Sequence, residues 1–334
     1  MGIHNSKEQK KLRAAYLGPD KAFWIIGERN ELFRFDPESC SLQRQSTGPM
    51  ESKSDVLPEI LSISQDRNGE LWICTGAGLY SFDIQKNVWR QSETMFHNSK
   101  HGDLPKTYFV YEDREGILWA GTNVGIWRKD FLKGTWVLLE VPENLRTLLQ
   151  APVLNSILRD ITGNLWFATS KGLIRLDLLK GKWQRWTHDP ANPKGLGIDA
   201  LSILFEDDAG LLWIGTEGAG VQKYNPNRER WNHVYREAGT DNTLSNDAVF
   251  SFLEDREGKI WVGSWGGLDC WDREKDVWTH YTHDTNNINS LSVNPVMALY
   301  QDQDGMLWVG TYGGGLNQFN PKRNTWKHFR HDPE

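Results

Sequence analysis

The chain has 334 residues, of which 25% are charged and 38% are hydrophobic, and its formal net charge is −6. This net negative charge does not indicate a basic surface that could bind phosphates, so we expect no nucleic-acid partner. No apolar run approaches the length that spans a bilayer, so we also expect no membrane insertion.

Residues 1–11 form a polar, basic tail without the apolar stretch of a secretory signal. As written, the sequence therefore predicts a cytoplasmic protein. A periplasmic location is the alternative. It would apply if the chain is part of a larger receptor with a signalling domain beyond its C-terminus.

A tryptophan recurs every 47 or 48 residues along almost the whole chain. It usually follows a turn sequence Asp-x-x-Gly and precedes Gly-Thr or a close variant. The seven central tryptophans are Trp24, Trp72, Trp119, Trp166, Trp213, Trp261 and Trp308. A fixed period of this length is typical of a solenoid, a propeller or an array.

Within one repeat, the pattern predicts four short strands and no helix. In the repeat that begins at Ala200 these strands are Leu201–Glu206, Leu212–Ile214, Val221–Tyr224 and Trp231–Tyr235. Asp207 and Gly210 favour a tight turn after the first strand, because Asp can accept backbone amides and Gly can adopt positive φ. A glycine-rich loop, Gly215–Gly220, precedes the third strand.

Seven such units predict an all-β fold, a seven-bladed β-propeller of four-stranded antiparallel blades. A single four-stranded unit cannot bury its faces alone, so we expect the central tryptophans to pack between adjacent blades. We predict one propeller domain over residues 12–334. Its blades lie at approximately 12–57, 58–104, 105–150, 151–198, 199–245, 246–292 and 293–334.

The first repeat departs from the pattern. It has Gly18–Lys21 in place of Asp-x-x-Gly, and Leu42 stands near the position of the outer tryptophan. Terminal repeats are often atypical. We expect a closed ring of seven whole blades, and a larger chain cut at this point is the alternative.

The repeated sequence Asp-x-x-Gly-x-Leu-Trp-x-Gly-Thr-x-x-Gly-Leu resembles the two-component regulator propeller repeat. It spans Asp66–Leu79, Asp113–Ile126, Asp160–Leu173, Asp207–Val221, Asp255–Leu268 and Asp302–Leu316, with single substitutions and an extra loop residue in some copies. The linkers Thr243–Val249 and Asn289–Val296 also resemble that family. The resemblance implies a propeller typical of the sensory regions of bacterial receptors, often ahead of a histidine kinase and outside the cytoplasm.

The loop that follows the Gly-Thr of the second strand varies between repeats, whereas the scaffold positions beside it vary much less. Binding residues are found disproportionately on loops that a rigid scaffold holds. We call the first strand of each repeat the inner strand. Together with polar residues just before or within the inner strands, these loops predict a ligand-binding face. Its residues are Arg29, Tyr108, Asn123, Lys171, Asp199, Glu217, Asn246, Trp265, Asn294 and Tyr312. The mixture suits a polar small molecule, a saccharide, a peptide or a protein partner.

The other reactive residue types fit structural roles. The repeated aspartates are predicted to form turns, and Asp302–Gly305 lacks the spaced ligands and closing glutamate of a calcium loop. The histidines show no metal-ligand spacing, so we expect no metal and no cofactor. Cys40, Cys74 and Cys270 form no CxxC pair and are predicted to be thiols in or beside strands.

Three hypotheses about function remain open, because a fold alone does not determine function. The first is a non-catalytic recognition module that acts as a sensor. The second is a propeller enzyme, a lyase or hydrolase with its site at the mouth of the central channel. The third is a structural scaffold for protein interactions. We favour the first, since no acid/base pair can be identified from spacing.

Overall fold

The computed structural model contains 28 strands in seven four-stranded antiparallel sheets. It describes residues 12–17, 22–27, 32–36, 39, 41–45, 59–92, 105–130, 132–192, 194–226, 228 and 230–329. The seven sheets confirm the predicted fold class, a seven-bladed β-propeller. The tail 1–11, the turn 18–21, Arg29 and Cys40 lie outside the described residues.

The chain divides into two compact units, and blades 1 to 3 lie in the unit that contains residues up to Glu140. Blade 1 contains β1 (Leu12–Leu17), β2 (Phe23–Gly27), β3 (Leu32–Asp36) and β4 (Ser41–Gln45). Blade 2 contains β5 (Ile60–Gln65), β6 (Glu70–Thr75), β7 (Gly78–Asp83) and β8 (Val88–Gln91). Blade 3 contains β9 (Thr107–Glu112), β10 (Leu118–Thr122), β11 (Gly125–Asp130) and β12 (Thr135–Leu138).

The second unit, Val141–Phe329, holds the other four blades. Blade 4 contains β13 (Leu154–Arg159), β14 (Leu165–Thr169), β15 (Gly172–Asp177) and β16 (Lys182–Trp186). Blade 5 contains β17 (Leu201–Glu206), β18 (Leu212–Thr216), β19 (Val221–Asn225) and β20 (Arg230–Val234). Blade 6 contains β21 (Val249–Glu254), β22 (Ile260–Ser264), β23 (Gly267–Asp272) and β24 (Val277–Tyr281). Blade 7 contains β25 (Val296–Gln301), β26 (Leu307–Thr311), β27 (Gly315–Asn320) and β28 (Thr325–Phe329).

The strands of each blade are consecutive in sequence. The sheet order is β1-β2-β3-β4 in blade 1 and β25-β26-β27-β28 in blade 7. In the part of the chain that the structure describes, the first and last blades therefore exchange no strand. This agrees with the expectation of whole blades.

One element was not predicted. The second unit begins with a short helix, α1 (Glu143–Arg146), followed by a 3₁₀ turn over Thr147–Leu149. The sequence shows no sustained helical period, and this short helix adds to the predicted all-β fold without changing its class. A helix of four residues is too short to show a sustained helical period, and only Leu145, Leu148 and Leu149 mark its buried side.

A buried aspartate organises the turn between the first two strands. In blade 5, one carboxylate oxygen of Asp207 accepts the amides of Ala209 at 3.0 Å and Leu211 at 2.9 Å. The other oxygen accepts the indole N–H of Trp213 at 2.9 Å. The same three bonds recur with Asp66, Asp113, Asp160, Asp255 and Asp302. The predicted role as turn formers is confirmed, and the bond to the tryptophan is a further finding.

Within each unit, central tryptophans pack against the following blade. The Trp166 ring lies 5.6 Å from that of Tyr224 in blade 5, and the Trp261 ring lies 6.0 Å from that of Phe319 in blade 7. In the first unit, Trp24 contacts Phe82 of blade 2 at 6.2 Å. Burial of one such side chain contributes roughly 1.5–3 kcal/mol. The predicted packing between adjacent blades is confirmed for these pairs.

The two described cysteines lie in this core. Cys74 on β6 and Cys270 on β23 are both free and buried. Burial raises the pKa of each thiol to about 12. These thiols are therefore structural, as the sequence predicted, and they are held in the unreactive protonated form.

We predict that Asp207→Ala lowers the free energy of unfolding by about 3 kcal/mol, because it leaves a buried indole N–H and two turn amides without an acceptor. Asp208→Ala is the matched control. The Asp208 side chain is exposed, and only its backbone amide is bonded, to Glu254 at 2.8 Å. Urea denaturation measures both variants, and equal losses in the two would contradict the proposed role of Asp207.

Candidate functional site

The variable loop between the second and third strands is fixed by its backbone. In the second unit, the first loop residue donates its N–H to the carbonyl just before the inner strand. Glu217 donates to Ala200 at 3.1 Å, Trp265 to Ala248 at 3.0 Å and Tyr312 to Pro295 at 2.9 Å. Gly76, Asn123 and Ser170 make the equivalent bond in their own repeats. Because the anchor uses only main-chain atoms, it does not constrain which side chain the loop presents.

The hydroxyl group that ends the second strand closes the same loop. Thr216 is buried, donates to the carbonyl of Gly220 at 2.8 Å and accepts the amide of Ala219 at 2.8 Å. In blade 4, Thr169 accepts the amide of Lys171 at 3.0 Å. Lys171 is therefore the second residue of its loop, and Ser170 occupies the position equivalent to Glu217.

Each inner strand of the second unit carries a bulge beside this loop. The register against the second strand shifts between Val249 and Ser251 in blade 6, so that Phe250 is the extra residue. Tyr108 occupies the same position in blade 3, where the shift falls between Thr107 and Phe109. Bulges re-aim side chains next to functional loops. The reasoning that selects Tyr108 from the sequence would also select Phe250, because each is the second residue of its inner strand.

Three aromatic residues from blades 6 and 7 meet at this face. The exposed fraction is 51% for Trp265 and 68% for Tyr312, and their ring centroids lie 6.2 Å apart. The Phe250 ring lies 6.1 Å from that of Trp265, in an edge-to-face orientation. We call Phe250, Trp265 and Tyr312 the aromatic strip. Of the predicted site residues, Trp265 and Tyr312 are brought into direct contact.

The backbone of an acidic residue pairs with the residue that anchors the loop of Trp265. Glu217 forms a β-bridge with Ala248, whose carbonyl also accepts the amide of Trp265. Ala248 therefore contacts the first loop residue of both blade 5 and blade 6. The Glu217 side chain is exposed, and within the described part of the chain no salt bridge reaches it. Its charge is available to solvent or to a ligand.

Three predicted site residues use their side chains to hold the linkers between blades. Asp199 accepts the amide of His188 at 2.6 Å, and Asn294 accepts that of His283 at 2.6 Å. Asn246 accepts the amide of Ala248 at 2.9 Å. These side-chain oxygens fix the backbone that carries the loops.

The remaining predicted residues make no described contact with the strip. Lys171 is exposed in the loop of blade 4. In the first unit, Asn123 is exposed, and the Tyr108 ring lies 5.4 Å from the Lys106 ammonium group. The last predicted residue, Arg29, is not among the described residues.

Three side chains on third and fourth strands have raised pKa values. Burial raises the pKa of Tyr80 on β7 and of Tyr281 on β24. A hydrogen bond to Asp269 raises the pKa of His280 on β24. Across the described ranges, no group of three or more His, Cys, Asp or Glu side chains is placed to hold a metal ion.

Three segments of the chain, residues 57–77, 243–266 and 290–313, match the family described as two component regulator propeller. For these three segments, the resemblance seen in the sequence is confirmed. The matched segments include the loop of Trp265 and reach the loop of Tyr312. A comparison with curated proteins found no match.

Solved structures show the same fold. Virginiamycin B lyase from Staphylococcus aureus is 12% identical, with 95% of this chain and 97% of that chain covered and a TM-score of 0.62. YCF48 bound to D1 peptide is 16% identical, with 94% and 95% covered and a TM-score of 0.58. At such identities the likeness shows the fold alone.

Sensor domains are also among the similar structures. The extracellular domain of BT4673 from B. thetaiotaomicron, described as a one component system, is 21% identical, with 98% of this chain covered and a TM-score of 0.48. The chain covers 44% to 60% of the first three sensor domains that it matches, about half their length. Among the residues described for this chain, no helix is long and apolar enough to cross a membrane.

We predict that Thr216→Val lowers the free energy of unfolding by about 1–3 kcal/mol, because a half-buried amide and a buried carbonyl lose their partner. The exposed Thr279 of β24 provides the control, since Thr279→Val should change the value by less than about 0.5 kcal/mol. Denaturation and amide hydrogen exchange measure the effect. An unchanged exchange rate at Ala219 would show that the hydroxyl does not hold the loop.

Proposed function

We propose that the chain is a non-catalytic recognition module of the sensory type, which binds a ligand or a protein partner through the aromatic strip. The observation that carries this proposal is the contact between two exposed aromatic rings, Trp265 and Tyr312, on neighbouring anchored loops. The two component regulator propeller repeats support the sensory role.

Exposed aromatic residues of this kind carry a free-energy cost in water that a bound partner removes. Single exposed apolar side chains are ordinary on protein surfaces. Here, however, two large rings are exposed side by side, and a third, that of Phe250, contacts one of them. Tyr and Trp supply contact area at a low cost in conformational entropy and dominate many binding sites. The strip therefore has the properties of a preformed contact surface.

The surroundings of the strip favour a polar ligand that has a flat apolar face. The rings offer stacking surfaces, the phenol of Tyr312 offers a hydrogen bond, and Glu217 offers a charge beside them. A saccharide or a side chain of a peptide has this combination of surfaces. We therefore propose these two classes as the first ligands to test.

The roles of the ionisable groups support a non-catalytic function. The carboxylates of the repeated aspartates are engaged by turn amides and indole N–H groups. Next to the strip, Glu217 is the only charged member among the predicted residues of the loops in blades 5 to 7, so no acid/base pair is formed by them. Sensing outside the cytoplasm belongs to the same proposal, since receptors with these repeats typically sense there.

We predict that a Trp265→Ala/Tyr312→Ala double variant loses ligand binding. The probes are a set of oligosaccharides and a set of short synthetic peptides, screened by thermal shift against the purified chain. A ligand at about 100 times its dissociation constant adds roughly 2.7 kcal/mol to the stability of the protein. The double variant should lose this shift while it keeps the melting temperature of the unliganded protein.

Tyr235→Ala provides the control, because Tyr235 follows β20 and its exposed fraction is 50%. This variant should bind as the natural chain does. Equal binding by the double variant would remove the strip from the site. Conversion of a bound probe into a new product would overturn the non-catalytic assignment.

A further inference from the structure

A histidine and an aspartate form a charged pair in blade 6. His280 on β24 lies directly opposite Asp269 on β23, and its Nδ1 is 2.7 Å from a carboxylate oxygen of Asp269. Asp269 is fully buried, whereas 24% of the His280 side chain is exposed. A buried carboxylate requires hydrogen-bond donors around it. The backbone N–H and the hydroxyl of Ser245 supply two more, at 3.1 and 2.9 Å.

Both ring nitrogens of His280 face acceptors. The second nitrogen, Nε2, lies 2.6 Å from the carbonyl oxygen of Asp241. A neutral imidazole donates only one hydrogen bond, whereas an imidazolium donates two. The geometry therefore requires the protonated ring. The charged groups that face this ring are Asp269 from β23 and Asp241 from the linker before blade 6.

The two neighbouring blades have the same contact without the charge. In blade 5, His233 Nε2 lies 3.0 Å from the carbonyl of Gly195, and in blade 7, His328 Nε2 lies 2.7 Å from that of Ser290. The residues directly opposite these histidines are Gln222 and Asn317. Both are amides, so no carboxylate faces the ring in blades 5 and 7, and a single N–H on Nε2 satisfies the linker carbonyl.

The linker that this pair holds also anchors the aromatic strip. Asp269 binds Ser245, and His280 binds Asp241 of the same linker. Three residues after Ser245, Ala248 accepts the amide of Trp265 and forms the bridge to Glu217. The pair therefore lies at one end of a short, continuous backbone path to the loop of Trp265.

We propose that His280 and Asp269 form a proton-dependent clasp, which fixes the linker before blade 6 and through it the loop of Trp265. The effect on ligand binding rests on the function proposed above, whereas the clasp itself does not. When His280 loses its proton, only one of its two bonds can persist, because the ring then faces one acceptor with a lone pair. We call the residue pair His280 and Asp269 the clasp.

The direction of the pH effect follows from the direction of the shift. The bond to Asp269 raises the pKa of His280 above its ordinary value of 6.5. The stabilisation from the clasp is therefore fully present below pH 6.5, and it is lost as the pH rises through the pKa of the folded protein. Blades 5 and 7 lack the facing carboxylate and should show no such loss.

The first experiment is an NMR titration of the histidine side chains in the full chain. We expect the titration midpoint of His280 to lie above the midpoints of His233 and His328. In Asp269→Asn, which gives blade 6 the amide that blade 7 has, the His280 midpoint should fall to the range of the other two. An unchanged midpoint in this variant would overturn the clasp.

The converse variant tests the same rule by gain of function. Asn317→Asp places a carboxylate directly opposite His328. We expect the midpoint of His328 to rise and hydrogen exchange of the Ser292 amide, which is bonded to Asn317 at 3.0 Å, to gain a pH dependence beyond the ordinary one of amide exchange. If the midpoint of His328 were the same in Asn317→Asp and in the natural chain, the residue opposite the histidine would not determine its protonation.

The coupling to recognition is measured separately. Amide hydrogen exchange at Trp265 should become faster as the pH rises through the His280 titration in the natural chain. In the variants His280→Gln and Asp269→Asn, exchange at Trp265 should show only the pH dependence that is ordinary for amide exchange. This readout needs no ligand, so a failure of the clasp is distinguishable from a failure of the proposed function. A Trp265 amide that does not respond to His280 would disprove the coupling.

Discussion

The fold depends on a buried carboxylate that holds an indole ring. In six repeats an aspartate accepts two amides of its own turn and the N–H of the tryptophan six residues later. The turn is thereby tied to the ring that packs against the next blade. Position 18, six residues before Trp24, holds glycine, and the Trp24 indole nitrogen is buried with no partner among the described residues. A buried donor without an acceptor weakens a structure. Among its described residues, blade 1 therefore lacks the carboxylate bond to the indole that the other six blades share.

The same scaffold explains why the face that we propose for recognition can vary. Each loop is anchored by a main-chain bond to the carbonyl before the inner strand and by the hydroxyl that ends the second strand. Neither anchor involves the side chain of the first loop residue. Glu217, Trp265 and Tyr312 can thus occupy equivalent positions on the same backbone. The exposed aromatic residues Trp265 and Tyr312 therefore differ from the other repeats in side chain and not in the scaffold that holds them.

The fold could be predicted because its information is repeated. The 47- or 48-residue spacing of the tryptophans predicted the blades, and the strand Leu201–Glu206 was predicted with the bounds that the structure shows. The site was less accessible to prediction. The contact between Trp265 and Phe250 depends on a bulge, and the pairing of His280 with Asp269 depends on register. A one-residue shift would separate such partners, and no periodicity in the sequence reports that register.

The three histidine contacts of the second unit show how one substitution changes the chemistry of a repeat without changing its fold. His233, His280 and His328 each bond a linker carbonyl through Nε2. The backbone geometry is the same, so the contact itself cannot distinguish the blades. Only the opposing residue differs: blade 6 has a carboxylate where blades 5 and 7 have an amide. Because that blade also carries Trp265, the charge and the exposed ring belong to one repeat. The specialisation of the chain is therefore concentrated in blade 6 and its neighbour, where departures from the repeated background coincide in space.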